Sequence, residues 1–80
     1  MSREEILKSV SNILCVVTNH DHVEEKENLR DDLGMDSLDE IEVVIMIEKK
    51  FSIRIPDADV EDNIKTVSDI VNIVEKLLLG

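Results

Sequence analysis

The sequence predicts an all-α fold, a small bundle of three main helices plus one short helix, in a single domain of residues 1–80. Three observations predict it. Apolar residues recur at helical spacing in three separate stretches, where strands would show alternation. Capping residues stand at the head of those stretches. The apolar residues are almost all aliphatic, with one Phe and no Trp or Tyr, which suits helices closing over a small centre and leaves little room for a deep active site. A chain of this length buries only about 60% of its unfolded surface, too little core to divide between two units.

Ser2 and Glu5 form a capping-box pair, and Ile6, Val10, Ile13 and Val17 follow on one face with Leu7 and Leu14 widening it, so a first helix is predicted over 3–17. From Thr18 to Asp36 the periodicity fades, and Val23, Leu29 and Leu33 remain as widely spaced apolar anchors. This stretch reads as a long, pinned loop with Gly34 near its end, and connections of that length tend to be functional. A second helix is predicted over 37–51, capped either by Asp36 with Asp39 or by Ser37 with Glu40; the sequence allows both. Ile53 and Ile55 read as extended, because Pro56 disfavours helix in the residue before it, and 56–63 can hold one short helical turn around Val60. Thr66, with Asp69 as its partner, opens a last helix that ends before Gly80 and places Val67, Ile70, Val71, Val74, Leu77 and Leu78 on one face.

The second helix has more apolar surface than packing requires. Val43, Val44, Ile47 and Phe51 fall within an arc of about 100°, a sufficient core face, while Leu38, Ile41 and Ile45 form a second row that widens the arc to roughly 220°. Burial between two neighbouring helices would account for that row. The charges suggest another use: Asp31, Asp32, Asp36, Asp39, Glu40, Glu42 and Glu48 stand in a run without Lys or Arg. Helix-dipole stabilisation explains acids in the first turn but not Glu42 or Glu48. An apolar row flanked by unneutralised acids has the makeup of a protein-docking surface for a basic partner. The expected recognition face is Asp36, Leu38, Asp39, Glu40, Ile41, Glu42, Ile45 and Glu48.

Nineteen acidic residues against nine basic ones give a formal net charge of −10 at pH 7, which repels nucleic acid and anionic membranes and attracts basic protein surfaces. A lone Cys15 excludes an internal disulfide and a thiolate metal cluster, and no segment approaches a membrane span. With no secretion signal at its start, the chain is expected to be cytoplasmic and unprocessed. His20 and His22 have no partner spacing that closes a zinc site, and the acidic stretches lack the glycine and glutamate positions of a calcium loop, so no metal is expected. No nucleophile has a base beside it. Ser37 lies between a loop and a helix, among acids that would repel a developing oxyanion; it is a cap or a modified residue, not a catalytic one.

Asp31-Asp32-Leu33-Gly34-Met35-Asp36-Ser37-Leu38-Asp39 resembles the acyl carrier protein signature, whose core is Asp-Ser-Leu preceded by Leu-Gly. The aliphatic, Glu-rich helix after it, Phe51 at that helix's end, Ile55-Pro56-Asp57, and Thr66-Val67 follow in family order, so the resemblance spans essentially the whole chain. It implies that Ser37 accepts 4'-phosphopantetheine from coenzyme A through a phosphopantetheinyl transferase, and that the chain, a monomer without enzymatic activity, delivers acyl thioesters to enzymes of fatty acid synthesis. Those enzymes would dock through basic surfaces. It also implies an acyl pocket near Ile47, Phe51, Ile55, Val60, Ile64 and Val67.

Three departures keep a second reading open. Leu29 stands where the family often has Phe, Lys49 and Lys50 follow Glu48 where acids are common, and one extra residue lies between Pro56 and Thr66. These leave room for a dedicated carrier of a polyketide or other specialised lipid pathway. Gly34-Met35-Asp36 argues against a peptidyl carrier, in which Gly-Gly more often precedes the serine. From a different class, an acidic helical interaction protein without a prosthetic group would use Ser37 only as a cap.

Overall fold

Each of the three main helices is headed by a predicted capping pair that makes its bonds in the computed structural model, which describes residues 1–79; Gly80, before which the last helix is predicted to end, lies outside them. Ser2 and Glu5 close a reciprocal box at the start of α1, Arg3–Thr18. α1 runs one residue past the expected boundary, and the Thr18 hydroxyl donates to the Leu14 carbonyl at 2.6 Å. α2 covers Ser37–Phe51 and stops at Ser52, whose left-handed φ of 55° turns the chain out of the helix. Lys49 and Lys50 lie in its last turn, where cations favour the macrodipole. α3 is the short Asp57–Asp62 and α4 is Val67–Leu79, with Asp69 N–H donating to Thr66 Oγ1 and Asp69 Oδ2 accepting from Thr66 N–H. Among the described residues there is no strand, only an isolated antiparallel bridge between Asn28 and Thr66.

α1 packs against both α2 and α4. Their buried faces meet in one core: Ile6, Val10 and Leu14 from α1, Val43 and Ile47 from α2, and Val67, Ile70, Val71 and Val74 from α4. The connection over 19–36 belongs to that core. Val23, Leu29, Leu33 and Met35 are all buried. Its backbone is stitched to the α3–α4 connection, with Leu29 N–H donating to the Lys65 carbonyl at 2.9 Å and Val67 N–H to the Glu27 carbonyl at 3.1 Å. Because buried backbone groups need partners, these bonds allow a loop to cross the interior. Gly34, at φ +70°, then turns the chain toward α2; open space surrounds the position of its missing Cβ, so it is the left-handed backbone that favours glycine there.

A second tie was invisible in the sequence. The Arg3 guanidinium donates to Asn72 Oδ1 at 2.7 Å and to Ser68 Oγ at 3.3 Å, and pairs with Glu25 and Glu75, so one side chain joins α1, the loop and α4. Hydrogen bonding to Glu25 raises its already high pKa.

Leu29→Ala is expected to cost about 2–5 kcal/mol of unfolding free energy, whereas Leu38→Ala, at a residue 76% exposed, should change it by no more than about 0.5 kcal/mol. Denaturant titrations of both variants check this, and equal small losses would mean that the loop is not part of the core.

Candidate functional site

Met35 is buried and its N–H donates to the Leu29 carbonyl at 3.0 Å, so the chain reaches α2 in a fixed direction. Asp36 sits in extended backbone as the N-cap. Its Oδ1 accepts from the Asp39 N–H at 2.9 Å, and Asp39 Oδ2 accepts from the Asp36 N–H at 3.3 Å. Of the two capping arrangements the sequence allows, Asp36 with Asp39 is the one formed. Ser37, the first residue of α2, is thereby released from capping. It is exposed, and among the described residues nothing hydrogen-bonds its hydroxyl. It lines an open groove of about 450 Å³ with Arg30, Glu40, Ile41, Asp57, Val60 and Glu61. No histidine, cysteine or lysine lines that groove; its ionisable side chains are Arg30 and the carboxylates of Glu40, Asp57 and Glu61.

Leu38, Ile41 and Ile45 are 76%, 54% and 46% exposed, so the second apolar row of α2 is not sandwiched between helices. Along its side, Ile41, Ile45, Ile53 and Val60 line a further groove of about 370 Å³ with Glu48, Arg54 and Asp57.

The acids around this row are less free than the sequence implies, and for Glu40 the description as unneutralised is corrected. Arg30, one residue before the acidic run, donates from Nε to Glu40 Oε1 at 3.0 Å and from Nη2 to Glu40 Oε2 at 3.2 Å. That bond raises the Arg30 pKa. Glu48 Oε2 accepts from the Ile55 N–H at 2.8 Å, Asp32 Oδ2 accepts from the Asn28 N–H at 2.7 Å, and Asp36 and Asp39 cap each other. Among the described residues only Asp31 and Glu42 of the seven acids make no side-chain bond. A count of charges along the chain misses Arg30, because its partner lies ten residues away in no helical register with it.

Beneath α2 lies a closed apolar gap between α2, α3 and the start of α4, with only about 10 Å³ of water-sized space. Ile47, Ile55, Val60 and Ile64 line it, joined by Leu29, Met35, Val43, Val44 and Ile70, with Glu40 at its edge. Phe51 and Val67, expected with the first four, do not line it: both are packed into the core, at 8% and 0% exposure. No cluster of potential metal ligands and no helix long and apolar enough to cross a membrane occurs among the described residues.

Residues 4–74 match the family model described as a phosphopantetheine attachment site. The chain is 43% identical over 79 residues to the acyl carrier protein of Thermotoga maritima, covering 96% of each, and 41% identical to that of Acidothermus cellulolyticus, covering 92% of this chain and 89% of the relative. Among solved structures, the acyl carrier protein of Thermotoga maritima superposes with a TM-score of 0.83 at 30% identity, covering 99% of this chain and 93% of that one. A putative acyl carrier protein from Mycobacterium tuberculosis gives 0.84 at 28% identity, covering 89% and 96%.

The cap assignment separates two neighbouring residues. Asp36→Ala should lower the unfolding free energy by about 0.5–2 kcal/mol, and Ser37→Ala by less than about 0.5 kcal/mol. Thermal unfolding of the pair checks the order; a larger loss for Ser37→Ala would return the cap to the serine.

Proposed function

The chain belongs to the acyl carrier protein family, a carrier and not a catalyst with a covalent 4'-phosphopantetheine group, and from that premise we propose that the group is attached to Ser37 and that the cargo is the acyl intermediates of fatty acid synthesis. When bound, the group supplies a terminal thiol that holds an acyl chain as a thioester. The observation that carries the assignment is the exposed Ser37 hydroxyl, free of the capping network at the head of α2 and beside an open groove. Such a hydroxyl fits the group: a transferase can reach it, and a long arm has room to leave it. Among the described residues no side chain is hydrogen-bonded to the Ser37 hydroxyl, and Glu40, the α2 carboxylate that lines the groove, is held by Arg30, so in this reading the phosphopantetheinyl transferase supplies the group that removes the Ser37 proton. Relatives named as acyl carrier proteins, matched over nine-tenths or more of this chain, support the acyl-carrier reading.

In this reading the whole chain works as one cytoplasmic, monomeric carrier domain. Acyl-processing enzymes approach the α2 face through basic surfaces. Leu38, Ile41 and Ile45 supply contact area, and Asp36, Asp39 and Glu42 the attraction, with Glu42 contributing most because its carboxylate has no internal partner. Glu40 and Glu48 stand on the same face but are committed to Arg30 and Ile55; they act chiefly by shaping it. Ile47, Ile55, Val60 and Ile64 mark the gap that would widen to shelter an acyl chain. The acidic-interaction reading, in which no prosthetic group exists, does not survive membership of this family.

Incubation with coenzyme A, magnesium and a broad-specificity phosphopantetheinyl transferase should add the mass of one phosphopantetheine to the wild type and none to Ser37→Ala. Glu42→Lys should load more slowly at low salt and converge on the wild-type rate as salt rises. An unmodified, folded wild type would contradict the Ser37 assignment, and a salt-independent rate for Glu42→Lys would contradict the recognition face.

A further inference from the structure

Three spaces meet at the head of α2: the open groove beside Ser37, a second open groove over Asn28, Asp31 and Lys65, and the closed apolar gap below. Glu40 and Val60 line all three, and Arg30 lines both open grooves. The border that the Ser37 groove shares directly with the gap thus lies between Glu40 and Val60, a short way in for cargo tethered at Ser37; the groove along Ile45 and Ile53 borders both through Val60 but is lined by neither Ser37 nor Glu40. Glu40 is the one charged residue lining the gap, and its side chain is only 18% exposed.

The bidentate geometry with Arg30 holds the carboxylate in a set plane, since it cannot turn without losing both bonds. Arg30 is held in turn. Its N–H donates to Asn28 Oδ1 at 3.0 Å, and the residue before it, Leu29, is buried with its N–H on the Lys65 carbonyl. The pair thus spans from the pinned loop to α2, across the way from Ser37 to the gap. An alkyl chain passing there presses apolar surface against two paired charges, which is unfavourable. With the pair broken, Glu40 can turn to water, and Ile41 and Val60 remain along the passage.

We propose that the Arg30–Glu40 ion pair is a gate that sets how readily apolar cargo passes from the Ser37 groove into the gap. The proposal rests on the reading of Ser37 as the attachment point and of the gap as the shelter. Arg30 acts on the cargo only through Glu40 and is a positioning residue. With the pair formed, cargo stays in the open grooves, where a docked enzyme reaches it; with the pair parted, cargo is withdrawn. The Arg30 side chain is 58% exposed, so the gate weakens with rising ionic strength.

The test uses the protein loaded with an octanoyl thioester, the loading verified by intact mass, and measures the rate of thioester cleavage by hydroxylamine against that of free octanoyl-pantetheine. Arg30→Met keeps the aliphatic stem and removes the charge; it should slow cleavage about two- to fivefold relative to wild type, the span a solvent-exposed ion pair commands. Glu40→Gln should do the same, which guards against a defect peculiar to one variant. Raising the ionic strength should slow the wild type toward the variants and leave the variants unchanged. If wild type and both variants are protected equally, the gate is overturned and the shelter stands. Cleavage of all three at the free-thioester rate overturns the gate and the shelter together. Failure of all three to load would overturn the Ser37 reading, and the gate with it.

Discussion

Leu29 sits in the middle of the connection between α1 and α2, and hydrophobic burial holds it almost wholly out of water. A loop residue can be buried there only if the backbone on either side finds partners, and the antiparallel bridge to Thr66, with its bonds to Lys65 and Val67, supplies them. The rest of the site depends on this anchoring. Met35 is bonded back to Leu29, Gly34 turns the chain, and Asp36 arrives extended at the head of α2 with its carboxylate over the Asp39 N–H. Ser37 is left exposed on a rigid junction, positioned by the fold and used by none of its internal bonds. A hydroxyl proposed to be modified by a transferase is served by that combination of fixed place and chemical freedom.

The acidic residues divide between the fold and the surface. Asp32, Asp36, Asp39 and Glu48 accept backbone N–H groups, and Glu40 accepts the Arg30 guanidinium. The first four keep their charge in the negative field of the molecule, because a hydrogen bond to a neutral donor leaves the charge in place, while that of Glu40 is offset by Arg30. They are nevertheless held, and so present a fixed pattern beside the exposed aliphatic row. In the proposed docking, steering by long-range charge and closure by apolar contact are then tasks of one helix face.

The helices and their boundaries were legible because capping boxes and helical periodicity are local: Ser2 with Glu5 and Thr66 with Asp69 are each three residues apart. The choice between Asp36 and Ser37 as the cap was not legible, since each has an acid three residues on; the backbone direction set by Met35 and Gly34 decides it. Residues whose partners are distant in sequence escaped altogether. Arg3 reaches Glu25 and Asn72, and Arg30 reaches Glu40, with no periodicity to announce either. Membership of an apolar pocket was half legible for a similar reason. Ile47, Ile55, Val60 and Ile64 line the gap while Phe51 and Val67 are buried without lining it, a distinction that depends on how α3 and α4 lie against α2 and not on the apolar character the six share.

Ser37 is the residue on which the proposed carrier role depends, as the place where the prosthetic group is held. The most direct measurement is peptide mapping, by mass, of the protein purified from its own cells without added transferase or coenzyme A. The peptide containing Ser37 is predicted to carry one phosphopantetheine, with fragmentation placing the phosphate on that serine. An unmodified Ser37 peptide, or the group found on any other residue, would contradict the account.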